Sequence, residues 1–338
     1  RESSSYHISV KGGRFLEAVS RADTVVFDKT GTLTYATPKV AQIVTFGGHE
    51  ASEMLRLAAC LEEHYPHSMA NAVVDEAKRQ NLKHEEYHSQ VQYVVAHGIS
   101  SMVEGKKVLI GSAHFVFEDE GCTIPAAEQE KFDTLDAQYS HLYLCIAGEL
   151  AAVICISDPL RAEAKDAIRA LHACGIRKVV MMTGDNRRTA ASVAEEVGVD
   201  EFYAEVLPED KAAFIRREKA AGRTVIMIGD GVNDSPALSE ADAGVAISTG
   251  AAIAREIADI TIASEDLFEL VTLRKISEAL MGRIHRNYRF IVGFNLGLIV
   301  FGVAGLLPPT TSALLHNAST LAISLKSMTN LLPDKKKI

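Results

Sequence analysis

The sequence predicts an α/β fold: a doubly wound parallel sheet, interrupted by an inserted α+β domain and followed by a transmembrane helical hairpin. Three observations carry this. Short runs of Val, Ile and Met at 24–27, 178–182, 224–228, 244–247 and 259–262 show no polar alternation, the pattern of strands buried on both faces. About 150 residues separate the first run from the second, far beyond an ordinary crossover, so a domain is inserted there. Residues 290–307 carry no charge, which as a helix approaches spanning length.

Taken in order, residues 1–19 are a polar juxtamembrane segment without a signal peptide pattern, and 20–38 hold the first sheet strand. The first residue is Arg rather than Met, so a piece of a longer chain is expected. The insert spans 39–156, with strands at 90–96, 106–110, 142–147 and 149–154 around helices. Residues 157–275 return to the sheet, with helices at 162–174, stopped by Gly175, and 189–197, stopped by Gly198. Residues 276–338 form the hairpin and a basic tail, broken in the middle by Pro308 and Pro309.

Basic residues flank the hairpin, with Arg283, Arg286 and Arg289 before it and Lys326 and Lys335 to Lys337 after it. By the positive-inside rule both ends face the cytoplasm; the alternative is a buried hairpin of a soluble protein. Asn295, His316, Asn317, Ser319 and Thr320 are polar groups at membrane depth, which either line an ion path or hydrogen-bond helix to helix. The net charge of −9, with aromatic residues at 6% and no Trp, argues against a nucleic-acid partner. Five cysteines stand singly without a Cys-x-x-Cys pair, as suits reduced thiols.

Three of the apolar runs end in polar clusters: Asp28-Lys29-Thr30, Thr183-Gly184-Asp185-Asn186 and Gly229-Asp230-Gly231-Val232-Asn233-Asp234. Open α/β sheets build their sites at the carboxyl ends of strands, so these clusters converge on one point. Asp28, Asp230 and Asp234 together need a cation, and hard oxygen donors select Mg²⁺. A carboxylate nucleophile with Mg²⁺ is equipment for phosphoryl transfer.

Asp28-Lys29-Thr30-Gly31-Thr32-Leu33-Thr34 resembles the phosphorylation signature of P-type ATPases. The resemblance continues, in order, through Thr183 to Asn186, Pro208-Glu209-Asp210-Lys211 and the segment from Gly229 to Leu238. It implies a haloacid-dehalogenase-like fold in which Asp28 attacks the γ-phosphate of ATP and becomes an aspartyl phosphate. Asp28, the Thr30 carbonyl and Asp230 would hold Mg²⁺. Lys211 would balance developing charge, Thr183 would bond phosphoryl oxygens, and Asn233 and Asp234 would support the metal side, with Asp185 and Asn233 among the cofactor-binding residues. The alternative is a soluble haloacid-dehalogenase-like phosphatase. Such enzymes place a second Asp two residues after the nucleophile, where this chain has Thr30, which cannot activate water.

Within the insert, the run from Glu62 to Val73 resembles the His-Pro segment of heavy-metal-transporting (type IB) P-type ATPases, making His67 the adenine-side histidine and Glu62 its acidic partner. His64 and His67 also read as a solvated helix start or as two metal ligands. Ser68 replaces the family's Pro, and Ala96 replaces the first Gly of Gly-x-Gly, leaving Gly98; Gly111 matches a further nucleotide-side glycine. Asp158-Pro159-Leu160-Arg161 matches the return hinge, with Arg161 placed to pair with an acid. On this resemblance 20–38 and 157–275 are the two parts of a phosphorylation domain and 39–156 is the nucleotide-binding domain. The chain would be the C-terminal catalytic half of a multi-pass membrane pump, its partners ATP, the membrane and a transported divalent or monovalent heavy-metal cation. N and O donors without thioether leave zinc, cobalt, nickel and manganese open, with copper behind them.

Overall fold

The computed structural model describes residues 3–35, 37–63, 68–82, 92–94, 98–230, 234–247, 256–264 and 266–332. The chain enters through β1 (Ile8–Val10), α1 (Gly13–Arg21) and β2 (Thr24–Asp28), then leaves for the insert. The insert contains β3 (Lys39–Thr45), α2 (Ala51–Glu62), α3 (Ser68–Arg79), β4 (Gln92–Val94), β5 (Gly98–Val103), β6 (Lys106–Gly111), α4 (Gln129–Asp133), β7 (Ser140–Ile146) and β8 (Glu149–Ser157). The return passes through α5 (Ala164–Ala173), β9 (Lys178–Met182), α6 (Arg187–Val197), β10 (Glu201–Tyr203), α7 (Pro208–Ala220) and β11 (Val225–Gly229). It continues as α8 (Ser235–Glu240), β12 (Ala243–Ile247), β13 (Ile260–Ile262), α9 (Phe268–Val303) and α10 (Pro309–Ser327).

The larger sheet has strand order β1-β13-β12-β11-β2-β9-β10, parallel throughout except for β1 at the edge. β2 lies between β11 and β9 and is buried along its whole length, as its unalternating Val-Val-Phe core requires. Its side chains divide by period two. Val25 and Phe27 join α1, α5, α6 and the first half of α9 on one face, while Val26 joins Phe214, Ile215 and Leu238 of α7 and α8 on the other. All five sheet runs expected from sequence are strands. The two short edge strands β1 and β10 lack such a run and escape a reading of the sequence, since a three-residue edge needs no continuous apolar stretch.

The insert forms a second sheet, antiparallel throughout, in the order β3-β8-β7-β6-β5-β4. One face packs Ile99, Ile110, Leu144 and Ile154 on α2 and α3; the other buries Phe46, Leu109, Phe115 and Val153. Gly98 sits opposite Gly111 across β5 and β6. A Cβ on Gly98 would run into the Phe115 ring and stand 2.5 Å from the Ile110 carbonyl oxygen, so close packing alone demands glycine there.

The expected transmembrane hairpin requires correction. Two helices form and pair antiparallel, with Asn287 opposite Ser327 and Asn295 opposite His316. However, α9 stops at Val303 and Gly305 turns the chain at φ +72, so the uncharged run starting at Phe290 is cut to 290–303 within the helix. Those residues rise about 21 Å, short of the ~30 Å hydrocarbon core. Among the described residues no helix is long and apolar enough to cross a membrane. Lys335 to Lys337 lie outside the described residues.

Gly98→Ala is expected to cost about 1–3 kcal/mol through overpacking against a ring and a backbone carbonyl. Urea unfolding followed by a probe in the inserted sheet measures it, and an unchanged midpoint would contradict the packing.

Candidate active site

Register brings the strand-end clusters together. Asp28 at the end of β2 pairs with Met182 of β9, which puts Thr183 one residue further on, while Phe27 pairs with Ile228 of β11, placing Asp230 just beyond the same edge. α7 supplies the cation. Pro208 opens it with φ already suited to the first turn, and the Asp210 carboxylate accepts from the Leu207 N–H at 3.3 Å. Lys211, one position later, then projects from the first turn at the sheet edge. Its Nζ lies 2.6 Å from Asp28 Oδ1 and 2.7 Å from Asp234 Oδ1.

Asp28, Asp234 and Lys211 are all buried, at 8%, 0% and 6% exposure. Burial, then the Asp234 charge, push the Asp28 carboxyl up to about 6 in spite of Lys211. Burial also raises Asp234, which the Lys211 contact only partly offsets. Burial alone would lower Lys211, but the two carboxylates raise it, so the ammonium stays charged. The site therefore holds more negative than positive charge, and Oδ2 of Asp234 is buried with no hydrogen-bond partner among the described residues.

That excess fits Mg²⁺. Among the described residues no group of three or more His, Cys, Asp and Glu side chains forms a metal cage. Mg²⁺ does not require one, because it binds through one or two carboxylates and completes its shell with water and substrate phosphate. Asp28, Asp230 and the Thr30 carbonyl could supply hard oxygens to it. Gly31, at φ +74, supplies the left-handed residue of the turn that follows Thr30. Gly229 is held to glycine, because a Cβ there would stand 2.5 Å from Asp234 Oδ2.

A second buried group adjoins the first. Lys29 Nζ lies 2.5 Å from Asp185 Oδ2, and the Thr183 hydroxyl donates to the same oxygen at 3.0 Å. Burial would raise Asp185, but Lys29 overcomes it and holds the carboxyl below its usual range. The Thr183 hydroxyl proton is thus committed to Asp185, and reaching a phosphoryl oxygen would require it to let go. Asn186 caps α6 by accepting from the Thr189 N–H at 3.0 Å.

Hydrogen bonds close the hinge. Thr34 Oγ1 donates to Asp158 Oδ2 at 2.6 Å, and the Gly31 N–H donates to Thr34 Oγ1 at 2.9 Å. Arg161, expected to pair with an acid, donates through Nε to the carbonyls of Thr32 and Thr34, so this guanidinium grips backbone of the loop after Asp28.

In the insert, Glu62 is buried at the end of α2, and Gly98 and Gly111 face each other in the sheet. His64, His67, Ala96 and Asn233 lie outside the described residues. Sequence reasoning gave no role to Lys29 and did not single out Ser140, whose hydroxyl accepts from Lys29 Nζ at 2.9 Å. Lys29 carried a signal, a cation beside the nucleophile. Ser140 carried none, since it comes from the other sheet.

The fold, with an Asp at the mouth of its central strand, defines a haloacid dehalogenase-like hydrolase, and the family model of that description matches residues 22–242. The "Manganese-exporting P-type ATPase" of Mycobacterium bovis is 37% identical over 319 residues, covering 94% of this chain and 44% of that protein. The crystal structure of a zinc-transporting PIB-type ATPase in the E2.Pi state superposes with a TM-score of 0.65 at 32% identity, over 97% of this chain and 53% of that one. The catalytic domain of the CPx-ATPase CopB-B gives a TM-score of 0.65 at 30% identity, over 80% of this chain and 96% of that domain. The chain belongs to the heavy-metal P-type ATPases and corresponds to their catalytic half.

The raised Asp28 carboxyl has a consequence for stability. Its folded pKa, about 6, exceeds the ordinary 3.8, so the folded state binds the proton more tightly and stability falls as pH rises between these values. In metal-free buffer Asp28→Asn removes that loss. It is expected to be more stable than wild type at pH 8 by about 1–3 kcal/mol, with the gap closing towards pH 4. Chemical denaturation at the two pH values checks it.

Proposed function

We propose that this chain is the ATP-binding and phosphorylation part of a pump that moves a heavy-metal cation across a membrane through an aspartyl phosphate on Asp28. The observation that carries this is the nucleophile site: Asp28 fixed by Lys211 at 2.6 Å, beside Asp234, with Thr30 where a phosphatase needs its acid. In the transfer, a carboxylate oxygen of Asp28 forms a bond to the γ-phosphorus as the bond to the β,γ-bridging oxygen breaks, and ADP leaves with that electron pair. Lys211 holds the attacking carboxylate in line and offsets the negative charge that gathers on the phosphoryl oxygens. Asp28, Asp230 and the Thr30 carbonyl would hold Mg²⁺, which supplies charge neutralisation when bound. Thr30 offers no carboxylate to deprotonate water, so the acyl phosphate outlives its formation, as a pump requires and a phosphatase avoids.

His67, Glu62 and the β5–β6 edge near Gly98 and Gly111 are assigned to the adenine side. Close packing explains Gly98 independently, so His67 and Glu62 carry that assignment.

The cargo is assigned to a divalent cation taken by N and O donors. His316 Nδ1 lies 2.8 Å from Asn295 Oδ1 between the two C-terminal helices, which brings one donor of each kind together. Relatives named for manganese, for copper and for zinc match at 37%, 40% and 36% identity, so overall likeness does not choose the ion. Exposed Phe290, Leu296, Ile299, Phe301, Leu314 and Leu321 give the hairpin an apolar surface that suits lipid or further helices. A membrane location with the two sheets on the cytoplasmic side is part of the proposal.

The full-length gene product incubated with labelled ATP, Mg²⁺ and a panel of divalent ions is expected to give an acid-stable phosphoenzyme. Asp28→Asn should abolish it and Lys211→Met should reduce its formation rate by about a hundred-fold or more. Equal labelling of the Asp28→Asn variant would refute the assignment, and the ion that stimulates turnover identifies the cargo.

A further inference from the structure

The nucleophile loop is fastened to the inserted domain as well as to its own sheet. Lys29 Nζ donates to Ser140 Oγ at 2.9 Å while lying 2.5 Å from Asp185 Oδ2. Lys29 and Ser140 are only 4% and 6% exposed, so water does not stand in for either partner. One ammonium thus joins the other two groups, pairing with the carboxylate and donating to the hydroxyl. Each comes from a different place, Lys29 from the loop after β2, Asp185 from the loop after β9, and Ser140 from the leading end of β7.

The neighbours of Ser140 dock on the same ground. The Thr189 hydroxyl donates to the Tyr139 carbonyl oxygen at 3.0 Å, and Asn186 Nδ2 lies 3.2 Å from His141 Nδ1. Burial lowers His141 and keeps the ring neutral, so Nδ1 accepts from Asn186 while Nε2 faces the Asp136 carbonyl oxygen at 3.1 Å. Tyr139, Ser140 and His141 thus engage Thr189, Lys29 and Asn186 in succession. Of these, only Ser140 also reaches the residue next to the nucleophile.

We propose that Ser140 is a positioning residue for phosphoryl transfer: by accepting from Lys29, which also pairs with Asp185, it holds the nucleophile loop and the β9 loop in register only when the inserted domain is seated on the sheet. Its hydroxyl touches neither Asp28 nor the phosphoryl group. Loss of the hydroxyl leaves a buried ammonium donor unsatisfied, and the hold of the inserted domain on the two loops loosens. The effect falls on the rate of attack rather than on nucleotide binding, because the adenine side lies elsewhere in the insert. This inference rests on Asp28 being the phosphorylated residue.

Two measurements test it. In the full-length gene product, Ser140→Ala should lower the maximal rate of phosphoenzyme formation about ten-fold. KM for ATP should stay within about two-fold, and Ser140→Thr, which keeps the hydroxyl, should recover most of the rate. Independently, hydrogen exchange of the 338-residue chain without nucleotide should show Ser140→Ala speeding exchange at 29–34 and 183–189, with Ser140→Thr close to wild type. A wild-type rate in Ser140→Ala overturns the proposal, as do equal losses in both variants, which would mean packing alone. If wild type forms no phosphoenzyme, the Asp28 assignment fails by itself. The exchange experiment still decides the Lys29–Ser140 contact: unchanged protection in Ser140→Ala overturns it, and loss reversed by Thr supports it.

Discussion

One lysine between two buried aspartates sets the terms for the rest of the molecule. Lys211 contacts Asp28 and Asp234 at 2.6 and 2.7 Å in a setting nearly closed to water, so one ammonium faces two carboxylates. Burial of an unbalanced charge is costly, and the raised Asp28 and Asp234 carboxyls express that cost. An added cation together with an incoming phosphoryl group changes the balance, which gives the site a physical reason to bind both. The sheet exists to hold this arrangement: β2, β9 and β11 align the loops, and α7 aims the lysine.

The same site explains where the insert is attached. It leaves just after the loop that follows Asp28 and returns at Asp158 to Arg161, where Thr34 bonds Asp158 and Arg161 grips the carbonyls of Thr32 and Thr34. Any rotation of the inserted sheet about these two strands therefore acts first on the loop that carries Asp28. Close packing within the insert, at Gly98 against Phe115 for example, lets that sheet move as a unit.

The last helices join the catalytic body differently. The first part of α9 buries Leu270, Val271, Leu273 and Ile276 in the core of the larger sheet, and the helix then continues into its exposed apolar part without a break. Arg283 donates to the carbonyls of Thr329 and Asn330 beyond α10, and Leu331 and Leu332 pack on the same core. Both ends of the hairpin are thus tied to the domain that carries Asp28, so displacement of one end is resisted at the other.

The order of elements and the residues that meet at the strand mouths were legible in the sequence because both are local. Runs such as Thr-Val-Val-Phe suit only a doubly buried strand, and the polar residues directly after each run must stand at a strand mouth; Asp28, Thr183, Asp230 and Asp234 were found that way. The edge strands β1 and β10 were not, since half-exposed three-residue segments leave no pattern. Nor did the uncharged run at 290–307 disclose that its helix would end at Val303, a matter of where Gly305 turns the chain. Tertiary structure alone decided the burial that raises Asp28, the packing reason for Gly98, and the meeting of Lys29, Asp185 and Ser140, whose members lie up to 156 residues apart. Residue types and local spacing are written in the sequence. Desolvation and the company a side chain keeps arise only when distant segments exclude water together.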